Sequence, residues 1–225
     1  MKNFKLLSIL LIIFMVASLS IGCSNKDDVN SSQEEKSLDS NSYTTQTVTN
    51  SFTTTIYEED ISLKITYPQI NELANKELET KVNTTIKDEF LGIQSLLAAE
   101  ANVVDDSFEI TSKTADILSI KYNIVTSPDN IKKYSYFETI NINMKNGNLI
   151  EMKKLFNSEE SVEKIKSIVD DIIEKEDLNI ENPIGNENIF ENIYFTDKNM
   201  IIFDRNDQSV EIKVPLNKIM DYINI

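Results

Sequence analysis

Apolar residues recur along the chain with two different periods, and the longer period predicts helices. The longest such run spans Ile70 to Leu97, with apolar residues at Ile70, Leu73, Ala74, Leu78, Val82, Ile86, Phe90, Ile93 and Leu97. This spacing of three or four residues predicts one long amphipathic helix, with Leu78, Val82 and Ile86 facing the core. Pro68 is predicted to end the preceding strand and to suit the first turn of this helix.

Two further helices are predicted in the second half of the chain. The medium one carries apolar residues at Val162, Ile165, Ile168, Val169, Ile172 and Ile173. It is entered through Asn157-Ser158, residue types that favour a helix N-cap. Pro215 is predicted to start a short C-terminal helix, Leu216 to Ile223.

Alternation of apolar and polar residues predicts the strands. These strands cover residues 53–57, 61–67, 108–114, 118–126, 134–144, 193–195, 200–203 and 210–214. Turn residues separate several of them, among them Ser127-Pro128-Asp129-Asn130 and Asn146-Gly147. Strands joined by tight turns, with helices inserted singly, predict an α+β fold. We expect a mostly antiparallel sheet with one long and one medium amphipathic helix packed on it, and a short C-terminal helix.

The first 23 residues have the organisation of an export signal. Lys2 and Lys5 precede an uncharged apolar run, Leu6 to Leu19, and small residues then lead to Cys23. The run is shorter than the roughly 20 residues of a bilayer-spanning helix. The segment ending in Cys23 resembles the lipobox of bacterial lipoproteins, although Ser20 stands where that family usually has Leu, Val or Ile. The resemblance implies that Cys23 receives a diacylglyceryl group and becomes the new N-terminus.

This interpretation divides the chain into three parts. Residues 1–22 are predicted to be a lipoprotein signal peptide, 23–52 a disordered tether from lipidated Cys23, and 53–225 one folded domain. The tether, rich in Ser, Asn, Thr and acidic residues, would reach about 30 Å. The protein is then expected outside the cytoplasm, anchored to the outer face of the cell membrane of a low-GC bacterium. An uncleaved N-terminal anchor is the alternative.

The charge of the chain narrows the class of partner. Residues 23–225 contain 20 basic and 37 acidic residues, a net charge of −17. Nucleic acid is disfavoured because its phosphates would repel this charge. A cationic partner is favoured, although an acidic surface also serves solubility alone. The chain has no histidine and a single cysteine, which excludes His-based catalysis, His-based zinc sites and disulfides within one chain.

Several short motifs carry a resemblance to a known family. They are Tyr67-Pro68-Gln69-Ile70, Asn146-Gly147 before Leu155-Phe156, Ile193 to Asp197, and Val210 to Pro215 before Met220 to Ile223. Together they resemble the extracytoplasmic domain pair of the lysozyme-sensing anti-sigma-V factor RsiV and of the peptidoglycan deacetylase PdaC. The resemblance covers about residues 53–225 and implies an RsiV-like fold and a cell-surface setting. The glycine-and-histidine turn expected in that family is replaced by Ser127 to Lys133.

The sequence contains only weak signals for a catalytic, metal-binding or ligand-binding site. Adjacent acidic residues occur at Glu58-Glu59, Asp88-Glu89, Asp105-Asp106, Glu159-Glu160 and Asp170-Asp171. A glycosidase needs two carboxyl groups facing each other across a cleft, whereas neighbours on a strand or helix point apart. Asp204 to Gln208 resembles the start of a calcium loop but lacks its glycine and final glutamate. Tyr134, Tyr136 and Phe137 could form a binding surface or pack in the sheet.

The sequence therefore predicts no catalytic residue, no cofactor and no metal ion, and lipidation at Cys23 as the one site. The favoured function is a non-enzymatic, lipid-anchored cell-surface binding domain. Its expected partners are the membrane, through Cys23, and a cationic wall-active protein such as lysozyme. The alternatives are an enzyme or accessory acting on cell-wall glycan, and a structural envelope lipoprotein.

Overall fold

A computed structural model describes residues 42–56, 58–100, 103–127, 131–178, 192–203 and 210–225. The predicted signal peptide, Cys23 and the first part of the tether lie outside the described residues. So does the calcium-like segment Asp204 to Gln208. Within the described ranges, no helix combines the length and hydropathy needed to cross a membrane.

The described residues form an α+β fold with three antiparallel sheets, which confirms the predicted class and divides the expected sheet into three. The strands are β1 (Thr44–Ile56), β2 (Glu59–Asn71), β3 (Val103–Lys113), β4 (Ile117–Thr126), β5 (Tyr134–Asn143), β6 (Asn148–Leu149), β7 (Ile193–Phe195), β8 (Asn199–Phe203) and β9 (Glu211–Pro215). The first sheet is the β1–β2 hairpin, the second has the order β3-β4-β5-β6, and the third has the order β7-β8-β9.

One long and one medium helix pack on these sheets, as predicted. The helices are α1 (Lys76–Glu100), α2 (Met152–Leu155), α3 (Glu159–Glu176) and α4 (Leu216–Ile219), and a single 3-10 turn, Met220–Tyr222, follows α4. Ser158 caps α3, because its Oγ accepts a hydrogen bond from the Ser161 backbone N–H at 3.1 Å. This confirms the predicted entry to the medium helix.

The first core lies between α1, the hairpin and one face of the second sheet. α1 contributes Val82, Ile86 and Phe90, all fully buried. The hairpin contributes Ile65 and Tyr67, and the second sheet contributes alternate residues of β4 and β5: Leu118, Ile120, Tyr122, Ile124, Ile140 and Ile142. Because side chains alternate between the two faces of a strand, the intervening residues face the opposite side.

The second core lies between α3 and the third sheet. Ile165, Val169 and Ile172 of α3 pack with buried residues of the third sheet and of the C-terminal segment: Ile193, Phe195, Met200, Ile202, Ile212, Val214, Ile219 and Ile223. β7 and β8 pair around residues 196–198, as predicted, with Phe195 opposite Met200. The third sheet is thereby positioned beside the polar face of the second.

The turn between β5 and β6 confirms the prediction for Asn146-Gly147. Gly147 has φ +71°, and a Cβ there would lie 3.1 Å from Cγ of Lys81 and 3.3 Å from Cδ1 of Leu78. Thr85 Oγ1 also donates a hydrogen bond to the Gly147 carbonyl at 2.8 Å. Glycine is required here both for the left-handed backbone and for the approach of α1.

The start of the long helix was predicted too early. β2 continues through Pro68 to Asn71, and α1 begins only at Lys76. Asn75 caps the start of α1, because its Oδ1 accepts a hydrogen bond from the Leu78 N–H at 3.0 Å. The strand is extended because Asn83 of α1 bonds the backbone of Ile70, accepting from its N–H at 2.8 Å and donating to its carbonyl at 2.9 Å.

The folded part also begins earlier than predicted. Residues 44–52 were assigned to the disordered tether, but they form most of β1, with Thr44 opposite Asn71 and Phe52 opposite Leu63. Tyr43 is already buried, and its hydroxyl donates to the Thr114 carbonyl at 3.2 Å. The composition is polar, but threonine and valine favour strands, and β2 supplies the pairing.

Candidate functional site

The third sheet meets the second through the edge strand β7, which lies on the polar face of β4 and β5. Asn141 Nδ2 and Thr139 Oγ1 each donate to the Ile193 carbonyl at 2.9 Å. Ser119 Oγ accepts from the Phe195 N–H at 3.0 Å and donates to Asn141 Oδ1 at 2.7 Å. Side chains of one sheet therefore satisfy the free backbone edge of the other, which holds the two sheets together.

Three aromatic rings pack at this junction. Phe137 of β5 lies 4.6 Å from Phe203 of β8 and 6.2 Å from Tyr194 of β7, measured between ring centroids. The rings of Phe137 and Tyr194 are nearly perpendicular, at 89°. Such edge-to-face contacts are favourable because the positive rim of one ring meets the negative face of the other.

A lysine ammonium lies against these rings. Lys121 of β4 projects from the polar face of the second sheet, and its Nζ is 3.8 Å from the centroid of Phe137 and 5.0 Å from that of Tyr194. The same Nζ is 3.5 Å from Oε1 of Glu211. The Lys121 side chain is only 17% exposed. Burial reduces water screening, so the cation–π and ionic contacts are stronger here than on an open surface.

Glu211 also accepts a hydrogen bond from a tyrosine. The Tyr194 hydroxyl donates to Glu211 Oε1 at 2.8 Å. Burial raises the pKa of Tyr194 well above its ordinary value, and the hydrogen bond to Glu211 and the negative charges of Glu211 and Glu109 raise it further. Tyr194 therefore stays a neutral hydrogen-bond donor across the physiological pH range.

We call this group of six residues the junction site: Glu109, Lys121, Phe137, Tyr194, Phe203 and Glu211. It combines two carboxylates, one ammonium and an aromatic platform. Its formal charge is therefore −1. The Lys121 ammonium already contacts the aromatic rings and the Glu211 carboxylate. The two carboxylates of the site, of which Glu109 is exposed, are chemically suited to contact lysine or arginine side chains of another molecule.

The predicted tyrosine surface is divided by the strand. Tyr134 is 53% exposed, and Tyr136 is half-buried against the first core. Phe137 faces the other side of β5 and belongs to the junction site. The three residues therefore do not form one surface, because neighbours on a strand point to opposite faces.

The predicted carboxylate pairs are spread over the hairpin, β3, α1 and α3. Asp106 accepts a hydrogen bond from the Tyr122 hydroxyl at 2.6 Å, whereas Asp105, its neighbour on β3, is exposed. Asp88 pairs with Lys87 at 3.3 Å, and burial followed by the charge of Asp88 raises the pKa of Glu89. The remaining pairs lie in the β1–β2 turn, in the first turn of α3 and at Asp170-Asp171 of α3.

Among the residues that the structure describes, no group of three or more His, Cys, Asp or Glu side chains is arranged to hold a metal ion.

A cleft of about 440 Å³, lined by both polar and apolar side chains, lies beside the turn between β5 and β6. Its lining includes four asparagines and two lysines: Asn143, Lys145, Asn146, Asn148, Lys154 and Asn224. Asn143 and Asn146 use their side-chain oxygens to accept backbone N–H groups of the turn, at 2.9 Å each. Asn224 Nδ2 donates to the Lys154 carbonyl at 3.0 Å. Much of the hydrogen-bonding capacity of this cleft therefore serves the fold.

Most of the junction site was not singled out from the sequence. A signal was present, because Lys121 is a charged residue inside the alternating strand Leu118 to Ile124. A lysine there is compatible with a solvated sheet face, so the sequence gives no reason to connect it with Glu211. The ion pair between them arises only from the packing of the two sheets.

Comparison with known proteins supports the fold. No protein-family model and no curated protein matches this sequence. A solved DUF3298 family protein of Pseudomonas aeruginosa PAO1 matches with a TM-score of 0.50 and 7% identity, covering 81% of this chain and 95% of the other. A DUF3298 family protein of Bacteroides fragilis NCTC 9343 has a TM-score of 0.48 and 8% identity, covering 81% and 94%.

The fold of this chain is similar to that of a DUF3298 family protein. This similarity fits the RsiV-like fold that the sequence motifs imply. The particular resemblance to RsiV and to PdaC stays a prediction.

Proposed function

We propose that this chain is a non-enzymatic binding domain, anchored through lipidated Cys23 to the outer face of a bacterial membrane. Its partner is a cationic wall-active protein, of which lysozyme is the example tested below. The junction site forms part of the contact surface. The observation that carries this proposal is the largely buried Lys121 side chain, whose ammonium lies between aromatic rings and Glu211.

The overall charge supports a cationic partner. The chain has 37 acidic and 22 basic residues, so at least 15 carboxylates have no cation for one-to-one pairing. An excess of one sign attracts the opposite sign over distance and accelerates association. This attraction weakens as salt shortens the Debye length from about 10 Å at 0.1 M to about 3 Å at 1 M.

The junction site supplies what charge alone does not. Affinity that survives salt requires a packed centre, and aromatic residues are enriched in such centres. Tyr194 and Phe203 are buried and form a packed aromatic base, and Glu211 and the exposed Glu109 contribute acceptors beside it. A lysine or arginine of the partner would then be held by Glu109 and Glu211, through the same kind of ionic contact that Lys121 already makes with Glu211.

Glu211→Gln is expected to weaken the binding of hen lysozyme by about tenfold, or about 1.4 kcal/mol. The substitution keeps the size of the side chain and removes the charge that faces Lys121. Titration calorimetry of the full chain in nonionic detergent measures the effect. Glu174→Gln on α3 is the matched control, because Glu174 is exposed and lies on a helix that contributes no residue to the junction site.

Cytochrome c, a basic protein of similar size, tests whether the binding is specific. We expect lysozyme to retain affinity at 0.5 M salt, about the range in which surface charge is heavily screened, while cytochrome c loses it. Equal affinities for the two proteins that both vanish at this salt would overturn the proposal.

The second candidate is an accessory that binds cell-wall glycan, and the asparagine-lined cleft favours it. Amide side chains are common hydrogen-bonding partners of polar ligands in concave sites. A soluble peptidoglycan fragment, titrated in place of lysozyme in the same calorimeter, distinguishes the two candidates. Binding of the fragment without binding of lysozyme would favour the second.

Cys23→Ala is expected to abolish the incorporation of labelled fatty acid, because the substitution removes the thiol that would be acylated. Metabolic labelling of cells that express the wild-type chain or the variant provides the measurement. Membrane retention should fall as well, since stable anchoring needs the acyl chains. Equal label in both proteins would show that Cys23 is not the lipidation site.

A further inference from the structure

β1 is a long edge strand without any charged residue. Residues 40–57 contain no Asp, Glu, Lys or Arg, in a chain whose net charge is −15. Among the described residues β1 pairs with β2 alone, over 13 residues without a register shift. Most of its side chains are exposed: Thr44, Gln46, Thr47, Thr49, Asn50, Ser51, Thr53 and Thr55.

The backbone groups that point away from β2 can be identified from one hydrogen-bonded position. The N–H and carbonyl of Ile70 both bond the side chain of Asn83, so neither faces β1. Ile70 lies opposite Thr45, and hydrogen-bonded and non-bonded pairs alternate along an antiparallel ladder. The residues of β1 whose backbone points outward are therefore Thr45, Thr47, Thr49, Ser51, Thr53 and Thr55.

Most other edges carry features that hinder pairing with a further strand, and the edge strand β6 is only two residues long. β2 contains Asp60, Lys64 and Pro68. β3 contains Asp105, Asp106 and Glu109 and has two register irregularities. The edge of β7 is covered by side chains of the second sheet, and β9 ends in Pro215. Charges, prolines and bulges are the usual protection of edges, and β1 has none of them.

We propose that β1 pairs with β1 of a second copy of this chain, forming an antiparallel four-stranded sheet across a twofold axis. Full overlap of the two 13-residue strands places the axis at Asn50. Thr49 then lies opposite Ser51 of the second copy, Thr47 opposite Thr53, and Thr45 opposite Thr55. Each β1 residue whose backbone points away from β2 therefore lies opposite a serine or threonine of the second copy.

The hairpin itself shows that such pairs are compatible with this strand. Thr49 Oγ1 lies 3.0 Å from Thr66 Oγ1 across the β1–β2 ladder. Cross-strand pairs of threonine and serine stabilise sheets through hydrogen bonds of this kind. The three pairs of the proposed interface, each present twice because of the twofold axis, have the same chemistry.

Charge explains why a second copy of the chain would bind at β1 and not elsewhere. Two copies with a net charge of −15 repel each other over most of their surface. At β1 the two backbones can approach without bringing like charges together. Like charges that face each other directly across two strands would destabilise the pairing. A twofold interface also requires a self-complementary surface, and β1 fulfils that requirement.

Cross-linking of single cysteines tests the proposal. The full chain with Cys23→Ser, in nonionic detergent, carries either Ser51→Cys on β1 or Ser62→Cys on β2. Both side chains are exposed, and Ser62 is the matched control. A short bis-maleimide should join two copies at position 51 but not at position 62. Equal yields at the two positions, or none at either, would overturn the proposal.

Charge substitution then tests that β1 is the interface. Thr49→Lys, added to the Ser51→Cys chain, should reduce the cross-linked fraction by at least about fivefold, because like charges meet near the axis. Ser62→Lys should leave the yield unchanged. Mixing Thr49→Lys chains with Thr49→Glu chains should restore cross-linking. Undiminished yield with Thr49→Lys, or no recovery in the mixture, would refute pairing through β1.

Discussion

Ile86→Ala is expected to lower the free energy of unfolding by about 2–5 kcal/mol, because it removes a buried branched side chain and leaves a cavity. Ile86 has no exposed surface and lies in the middle of α1, among residues of the hairpin and the second sheet. Val82 and Phe90 of α1 are fully buried in the same core, so the surrounding side chains have little freedom to fill the space. Urea denaturation of the full chain measures the change.

Leu96→Ala on the same helix is the control for helix propensity. Leu96 is 66% exposed, so its truncation should change the stability by less than about 0.5 kcal/mol. Both substitutions introduce alanine, the best helix former, so a difference between them reports burial. If the two variants unfolded at the same urea concentration, the described orientation of α1 would be wrong.

Asn141→Leu is expected to destabilise the protein by about 1–3 kcal/mol, because it leaves buried polar groups without their partners. Leucine keeps a similar volume but cannot accept from Ser119 Oγ or donate to the Ile193 carbonyl. Since these bonds join the second and third sheets, the damage should be concentrated at β7. Hydrogen exchange of the Phe195 amide, which bonds Ser119 Oγ, should become faster.

Asn148→Leu provides the matched comparison for this second substitution. Asn148 lies on the two-residue strand β6 and is exposed, so the same change of side chain removes no buried hydrogen bond. Its effect on stability should stay within about 0.5 kcal/mol. Unchanged exchange at Phe195 in the Asn141 variant would show that the amide side chain does not hold the two sheets together.

Local patterns predicted the elements well where each element buries one face. The alternation through β4 and β5 and the period of α1 and α3 are confirmed, because the residues that face each core recur regularly along their own element. The boundary at Pro68 was wrong, because the strand is extended by Asn83, thirteen residues after Ile70. A local pattern contains no information about such a contact.

The polar segment before residue 53 shows a second limit. Its threonines suggested a disordered tether, because composition indicates how much apolar surface a segment can bury. β1 forms nonetheless, because its backbone groups are satisfied by β2 and only Val48 and Phe52 need to pack on the core. Pairing between strands supplied the stabilisation that composition did not reveal.

The sequence by itself determined the fold class, the two amphipathic helices, several turns and the excess of negative charge. These properties are local or additive, so they can be read from spacing and counting. Only the tertiary structure decided the division into three sheets, the open edge of β1 and the junction site. Lys121 and Glu211 lie 90 residues apart in the sequence and meet because β7 packs on the polar face of β4 and β5. Contacts of this kind depend on how elements pack, which no periodicity within one element specifies.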